Sequence, residues 1–483
     1  MPYYKLPPTQ PTVQLDADSS PFKLPGDPIN DAWACEIVES TLQKFESWRV
    51  NNCDPRWRLN EWLYYGYVPR KVWEGSSVPR ANYPVQIAFD MVESAKARLR
   101  QELLNPDAFD VSPTGAVSPI AAQQIKGRLD YILDNSSDDY GWSAKMELSE
   151  TIKDNLIYGC SFALTEWDYQ RKQATVCRVD PRDVYVDPFC PGPYIEKARG
   201  VVIKKSLTLD EVDSMRDYED FKIPSKEVLL YFAQQRMLGM GDREKADQEA
   251  ARGVRYLPTG DDTLSLPSSK LIDLFIYMGR GREIWVLGRG QGRNVCIFNK
   301  TQKYDCIRLV SAPCFPVPNR FYSQSFVDII DPMQNVMTGL LNRHLDETNL
   351  AMNPPRVEKR GQIRTPNSGQ FRPGLMITAD DPKNDVQFVL PSNITQNVWQ
   401  TMQYLETRVE KMLGQNSLAT SGQPAASNAN RTKGGVQMQL QAPTDRLAEI
   451  AWNIEHYMLL PMLFKLLKIE KYHSIHDQKD QPV

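Results

Sequence analysis

The spacing of apolar residues changes character along the chain. Residues 31–50, 85–105 and 120–158 carry apolar side chains at helical intervals, and the run from Asp90 to Arg100 is rich in strong helix formers that Pro106 must stop. From Phe162 the pattern turns to short alternating or continuous apolar runs at 162–169, 174–179, 184–186 and 201–205. Asp180-Pro181 and Asp187-Pro188 punctuate them, which predicts strands joined by tight turns. Strand-like runs resume at 271–278, 284–287 and 295–298, while residues 236–255 are charged, weakly periodic and read as a mobile insertion. These runs predict an α+β body over residues 31–320, behind a proline-rich N-terminal arm at 1–30. The arm fits two roles, a loose tail or a strap across a neighbouring subunit.

After Pro318 a single helical pattern covers residues 325–350. Phe326, Ile329, Ile330, Met333, Val336, Met337, Leu340 and Leu341 form its apolar stripe. Ser325 followed by Asp328 has the spacing of a capping box, and Pro332 either kinks the helix or sits at its first turn. Such a helix spans roughly 37 Å. Asn353-Pro354-Pro355 stops it, and short strands and turns are predicted over 356–391. A second helix at 394–413 places Ile394, Val398, Met402, Leu405, Val409 and Met412 at near-heptad spacing. A loop of small polar residues follows at 414–432, then a third helical region at 433–469 interrupted by Pro443 and Pro461.

Composition narrows the function. The formal charge of -3 excludes a protein that grips DNA by bulk basicity, because non-specific binders neutralise phosphates with Lys and Arg. Eight cysteines without C-x-x-C spacing read as reduced, partly buried thiols of a protein made in the cytoplasm. No window has the roughly 18 apolar residues of a membrane span.

Enzyme chemistry finds little support. A P-loop needs G-x-x-x-x-G-K-[ST], and the sequence has no Gly-Lys dipeptide. The glycines at 279, 281, 288, 290 and 292 lie among strand-like runs and read as turns. His473-x-x-His476 has metal-ligand spacing but reads as part of a solvated tail, and Asp180, Asp183 and Asp187 read as turn residues rather than a two-metal site. No catalytic residue, cofactor site or metal site is assigned.

Turning 325–350 at helical pitch, the side away from the apolar stripe carries Asp328, Asp331, Asn335, Thr338, Asn342, Asp346 and Asn349. The equivalent side of 394–413 carries Gln396, Gln400, Gln403, Thr407, Glu410 and Lys411, without aromatics. Each could be an ordinary solvated face. Together they also suit a conduit in which phosphates slide, since basic residues would bind phosphates and aromatics would stack on bases.

The local text resembles the portal proteins of tailed phages, short-tailed-phage portals above all. Phe326-Val-Asp-Ile-Ile-Asp-Pro-Met-Gln-Asn-Val-Met-Thr-Gly-Leu-Leu-Asn, running into Asn349-Leu-Ala-Met-Asn-Pro-Pro, is similar to the segment in which those portals begin their stem. Gly414 through Arg431-Thr-Lys-Gly-Gly-Val-Gln is similar to their tunnel loop and following helix. The resemblance implies a portal fold: a wing at 31–320, a first stem helix at 321–352, a clip at 353–392 and a second stem helix at 393–413. A tunnel loop at 414–432 and a wing-return helix with a short crown at 433–483 complete it. It implies a structural, non-enzymatic ring, a dodecamer, at one capsid vertex of the virion. The partners implied are double-stranded DNA, a terminase motor, the major capsid protein, a tail adaptor protein and a scaffolding protein, with no membrane. On that basis Asp328, Asp331, Asn335, Asn342, Asp346, Gln400, Gln403 and Glu410 are candidates for the channel lining. Leu418, Thr420, Ser421, Asn428, Arg431 and Lys433 would belong to the tunnel loop, and Arg356, Lys359, Arg360, Arg364 and Arg372 to a partner-binding clip. Another ring-forming head-completion or tail connector is the alternative reading, and a DNA-processing enzyme the third.

Overall fold

The computed structural model describes residues 32–68, 80–105, 109–113, 118–135, 143–168, 171–217, 221–230, 232, 271–279, 281–288, 294–301, 304, 306–352, 356–358, 386–388, 395–413 and 444–479. The arm at 1–30, the insertion at 236–255 and the loop at 414–432 lie outside them.

Five helices come first: α1 (Ala32–Asn52), α2 (Asp54–Tyr65), α3 (Ile87–Leu103), α4 (Pro119–Asn135) and α5 (Ala144–Tyr158). The helical pattern at 120–158 is thus two helices, α4 and α5. The pattern also left α2 unread, since the helical reading stopped at residue 50. Pro55 occupies the first turn of α2, where its missing N–H costs nothing.

Strands β1 (Cys160–Asp168) and β2 (Gln173–Val179) form an antiparallel hairpin, and β8 (Leu309–Pro313) pairs with the other edge of β1. Strands β3 (Val184–Val186), β4 (Gly200–Thr208), β5 (Leu271–Gly279), β6 (Arg282–Leu287) and β7 (Val295–Thr301) make a second sheet in sequence order, every pair antiparallel. A short helix, α6 (Leu209–Ser214), leaves β4 through a Thr208–Glu211 capping box.

Alternation explains why this second sheet is apolar on both faces. In β5, Ile272, Leu274, Ile276 and Met278 join the main core, while Phe275 points to a smaller core on the far side. That smaller core is closed by α1 through Ala34, Cys35, Val38, Leu42 and Phe45, against Tyr185, Val202, Ile284 and Val286. The main core continues through Trp57, Leu99, Leu148, Ile152 and Phe162 to the long helices of the C-terminal part.

Those helices are α7 (Phe326–Met352), α8 (Thr395–Leu413), α9 (Thr444–Ile454) and α10 (Leu460–Lys479). A small antiparallel pair, β9 (Arg356–Glu358) with β10 (Val386–Phe388), lies between α7 and α8. The expected break at Pro461 is a π-helical turn, Glu455–Leu459, that carries α9 directly into α10. Proline lacks the N–H that would bond four residues back and its ring crowds that carbonyl, and a wider turn removes the conflict.

All eight cysteines are free, and six are buried. Burial pushes the Cys53 thiol up to about 12 and Cys177 up to about 11, which suppresses the nucleophilic thiolate. Half-buried Cys177 and Cys306 are expected to react first with a thiol reagent, and the six buried cysteines only on unfolding. Timed alkylation read by mass spectrometry checks this.

Candidate functional site

The first turn of α7 is held from three directions. Ser325 N–H donates to Asp328 Oδ2 at 2.8 Å and Asp328 N–H donates to Ser325 Oγ at 2.8 Å, so the expected capping box is present with Asp in the acceptor role. From α2, Asn60 Nδ2 donates to Ser325 Oγ and Asp328 Oδ1, both at 2.9 Å, and to the Ile157 carbonyl at 3.0 Å. Arg56 lies 3.5 Å from Asp328 Oδ2 and donates to the Ser323 carbonyl at 3.0 Å. The third direction is α5, which ends at Gly159 in the left-handed region with φ 81°. A side chain there would meet the Ser323 carbonyl oxygen at 2.7 Å and Ser325 N at 2.8 Å, so only glycine lets α7 begin so close to the end of α5.

Farther along, one row of α7 side chains serves the extended segment 81–86 and the start of α3. Asp346 accepts from Ala81 N–H at 2.8 Å, Asn342 from Tyr83 N–H at 2.7 Å, and Thr338 from Val85 N–H at 3.3 Å. Gln334 accepts from Ala88 N–H and donates to the Leu63 carbonyl, each at 2.8 Å. Asn342 also donates to the Tyr83 carbonyl at 3.0 Å. The match has a geometric origin. Four helical residues advance about 6.0 Å, and two extended residues advance about 6.6 Å. Alternate N–H groups of an extended chain therefore meet every fourth residue of a helix. Ala88 is in the first turn of α3, so Gln334 satisfies one of the donors that a helix start leaves open.

Helix α8 packs along α7 with Met402, Val409 and Leu413 buried. Trp399, near its beginning, makes an edge contact with His344, near the end of α7, at 6.2 Å between ring centroids. The two helices therefore run antiparallel. Their outer surfaces are distinct. On α7, Pro332, Asn335, Val336, Gly339 and Arg343 are exposed, and on α8 so are Gln400, Gln403, Tyr404, Thr407 and Lys411. The expectation that the polar side of the second helix lacks aromatics is corrected here, since Trp399 and Tyr404 are both more than half exposed. Gly339 stands in mid-helix, where glycine costs roughly 0.5–1 kcal/mol relative to Ala. Among the described residues beyond its own helix backbone and chain neighbours, no atom lies within 4 Å of where its Cβ would be, so their packing does not require it.

The candidate residues read from the sequence thus divide. Asp328, Asn342 and Asp346 direct their polar atoms to the chain itself. Asp331 is partly buried and accepts from Asn335. Burial, reinforced by the Asp328 carboxylate, raises its pKa above the usual carboxylate range. Asn335, Gln400 and Gln403 are exposed and Glu410 half-buried. Arg356 lies in β9. Lys359, Arg360, Arg364 and Arg372, with Leu418, Thr420, Ser421, Asn428, Arg431 and Lys433, lie outside the described residues. Sequence reading missed Arg56, Asn60 and Gln334. For Gln334 a signal existed, because Gln334, Thr338, Asn342 and Asp346 form an unbroken every-fourth-residue row of hydrogen-bonding side chains.

The other chemistry considered from the sequence has structural explanations. Asp180 caps a short turn and chelates Arg182, whose guanidinium also reaches Glu61 at 3.1 Å. Burial acts to raise the Asp180 pKa, but the Arg182 hydrogen bonds and charge outweigh it and hold it below the usual carboxylate range. Gly281 and Gly288 adopt positive φ at the ends of β6, as turn glycines do. His473 is corrected: it is buried, stacked on Trp167 with 4.0 Å between ring centroids, and 2.8 Å from the Tyr304 hydroxyl. Among the described residues no cluster of His, Cys, Asp and Glu is arranged to hold a metal ion, and no helix is long and apolar enough to cross a membrane.

The polar row makes a stability prediction. Gln334→Ala, which strands two buried backbone groups, is expected to destabilise the chain by about 1–3 kcal/mol, with Asn342→Ala and Asp346→Ala costing less because their partners reach solvent. Thr338→Val should be mildest, given its longer hydrogen bond. Denaturant unfolding of the four variants gives the order.

Comparison with known families matches the chain over residues 168–475, from the last residue of β1 into α10, to the family model described as phage SU10 portal protein. No curated protein matches. The matched stretch contains the whole of α7 and α8, the small β9–β10 pair between them, β8, and most of α10. The chain therefore belongs to the phage SU10 portal protein family and is a phage portal protein of the short-tailed-phage type.

Proposed function

We propose that copies of the chain close into a ring at one vertex of the capsid, and that double-stranded DNA passes through the ring during packaging, is retained by it, and leaves by it. The observation that carries the reading is the antiparallel α7–α8 pair. It is fixed to the body at the Ser325 end, and it presents two different outer faces with exposed side chains. A pair of unlike faces on opposite sides is what a closed heterologous ring requires. Family membership supports the same role, and the proposed copy number is twelve.

Of the channel-lining candidates, Asn335, Gln400, Gln403 and Glu410 keep side chains available to the bore. Neutral and acidic groups there would let phosphates slide rather than bind. The region around β9 and β10, with Arg356, Lys359, Arg360, Arg364 and Arg372, is proposed to dock the terminase motor and the tail adaptor. Arginine suits that task because its planar fork pairs with carboxylates at interfaces. The wing would face the major capsid protein and scaffolding protein. Residues 414–432, small and polar apart from Leu418, are proposed to reach into the bore and hinder DNA from slipping back, with Arg431 and Lys433 supplying positive charge at their end.

Purified protein is expected to form rings with a central hole under the electron microscope and to hydrolyse no nucleotide. DNA-stimulated ATP turnover abolished by a point mutation in this chain would contradict the reading. Shortening Thr420–Asn428 to a brief Gly-Ser link should leave rings and melting temperature intact while impairing packaging or retention of DNA. Replacing Arg356, Arg360 and Arg364 by Ser should leave rings intact and weaken motor or adaptor binding, as measured by co-sedimentation.

A further inference from the structure

The outer faces of α7 and α8 carry a notch and a knob at the same height. The notch is Gly339, flanked on the exposed side of α7 by Val336 and Arg343. Among the described residues no side chain comes within 4 Å of its absent Cβ. The knob is Tyr404, 63 % exposed on α8. The Trp399–His344 contact sets the register of the two helices. Tyr404 lies as many residues beyond Trp399 as Gly339 lies before His344, and the helical rise is the same in both, so the two residues are level. Yet they do not meet within one chain, since nothing described lies within 4 Å of the Gly339 Cβ position and most of Tyr404 is exposed.

Resting on the ring reading above, we propose that Tyr404 of one copy seats against Gly339 of the next, making this contact the heterologous seam of the stem. Rotation about an axis running along the helix pair leaves height unchanged, so the knob of each copy arrives at the notch of its neighbour. The same register puts Lys411, exposed, level with Pro332 and one residue from the height of the partly buried Asp331, so that a basic and an acidic side chain would lie near each other at one end of the seam. A mid-helix glycine that no described residue packs against and a large exposed aromatic ring at its level are separate observations, and a second copy of the chain accounts for both.

Cysteine crosslinking tests the seam on the full chain. With Gly339→Cys and Tyr404→Cys in one chain, a short thiol crosslinker should give a ladder of covalent oligomers up to the closed ring. Mixing the two single variants should give dimers and nothing larger, and the parent protein, carrying its native cysteines, should give neither. Gly339→Leu, whose side chain enters open space in the single chain, should keep the melting temperature of the parent and lose ring assembly. If microscopy shows rings while crosslinks are absent or confined within one chain, the seam is wrong and the ring reading stands. Rings at parental yield from Gly339→Leu also overturn the seam. A parent protein that stays monomeric overturns both.

Discussion

An extended backbone lying against a helix has no ladder to join, and every N–H it buries must find another acceptor. This chain meets that constraint with one row of α7 side chains. Gln334, Thr338, Asn342 and Asp346 accept from Ala88, Val85, Tyr83 and Ala81, while the Ser325–Asp328 box and Asn60 secure the beginning of the helix. The placement of α7 follows from these bonds rather than from its apolar stripe alone. The stripe sets which side faces the core. The polar row sets how far along and at what rotation the helix lies, because displacement by one residue would break every rung.

The helix pair was legible in the sequence because long amphipathic helices advertise themselves by period, and 325–350 and 394–413 differ from the observed helices by two residues or fewer at each end. Most strands of the body were legible too, being short apolar runs between Asp-Pro and glycine turns, but β8, which completes the first sheet, was not read, and β4 and β7 run three residues beyond the runs that marked them. Residues whose role depends on a distant partner were not. Asp328, Asn342 and Asp346 look like a solvated face when only the helix is considered. Their acceptor role appears only when residues 60 and 81–83, more than 250 positions earlier, are brought alongside. His473 was misread for the same reason, since Trp167 and Tyr304, which bury it, are remote in sequence. The α2 helix, with Pro55 in its first turn, was not read at all.

Buried charge follows a similar logic of remote pairing. Arg308, just before β8, is held by Glu283 of β6 and lies near Glu166 of β1, so it links the two sheets, and Lys465 of α10 joins Glu196 at 2.5 Å and the Leu309 carbonyl at 2.8 Å. Removing one partner of such a pair leaves an uncompensated charge in the interior, which costs more than the pair contributes. These contacts act less as sources of stability than as a filter that rejects other arrangements of α10 on the body.

The length of the polar row's loops bears on the timing of biogenesis. Its hydrogen bonds join residues separated by 246 to 271 positions. During synthesis the segment at 81–88 leaves the ribosome long before the residues that will satisfy it, so the amino-terminal helices must wait, partly unpaired, until most of the chain has emerged. High contact order of this kind slows the final step of folding and lengthens exposure to misassociation. It also places the completed stem last in the folding sequence, so that a nascent chain has no finished seam to offer a neighbour until its own body is in place.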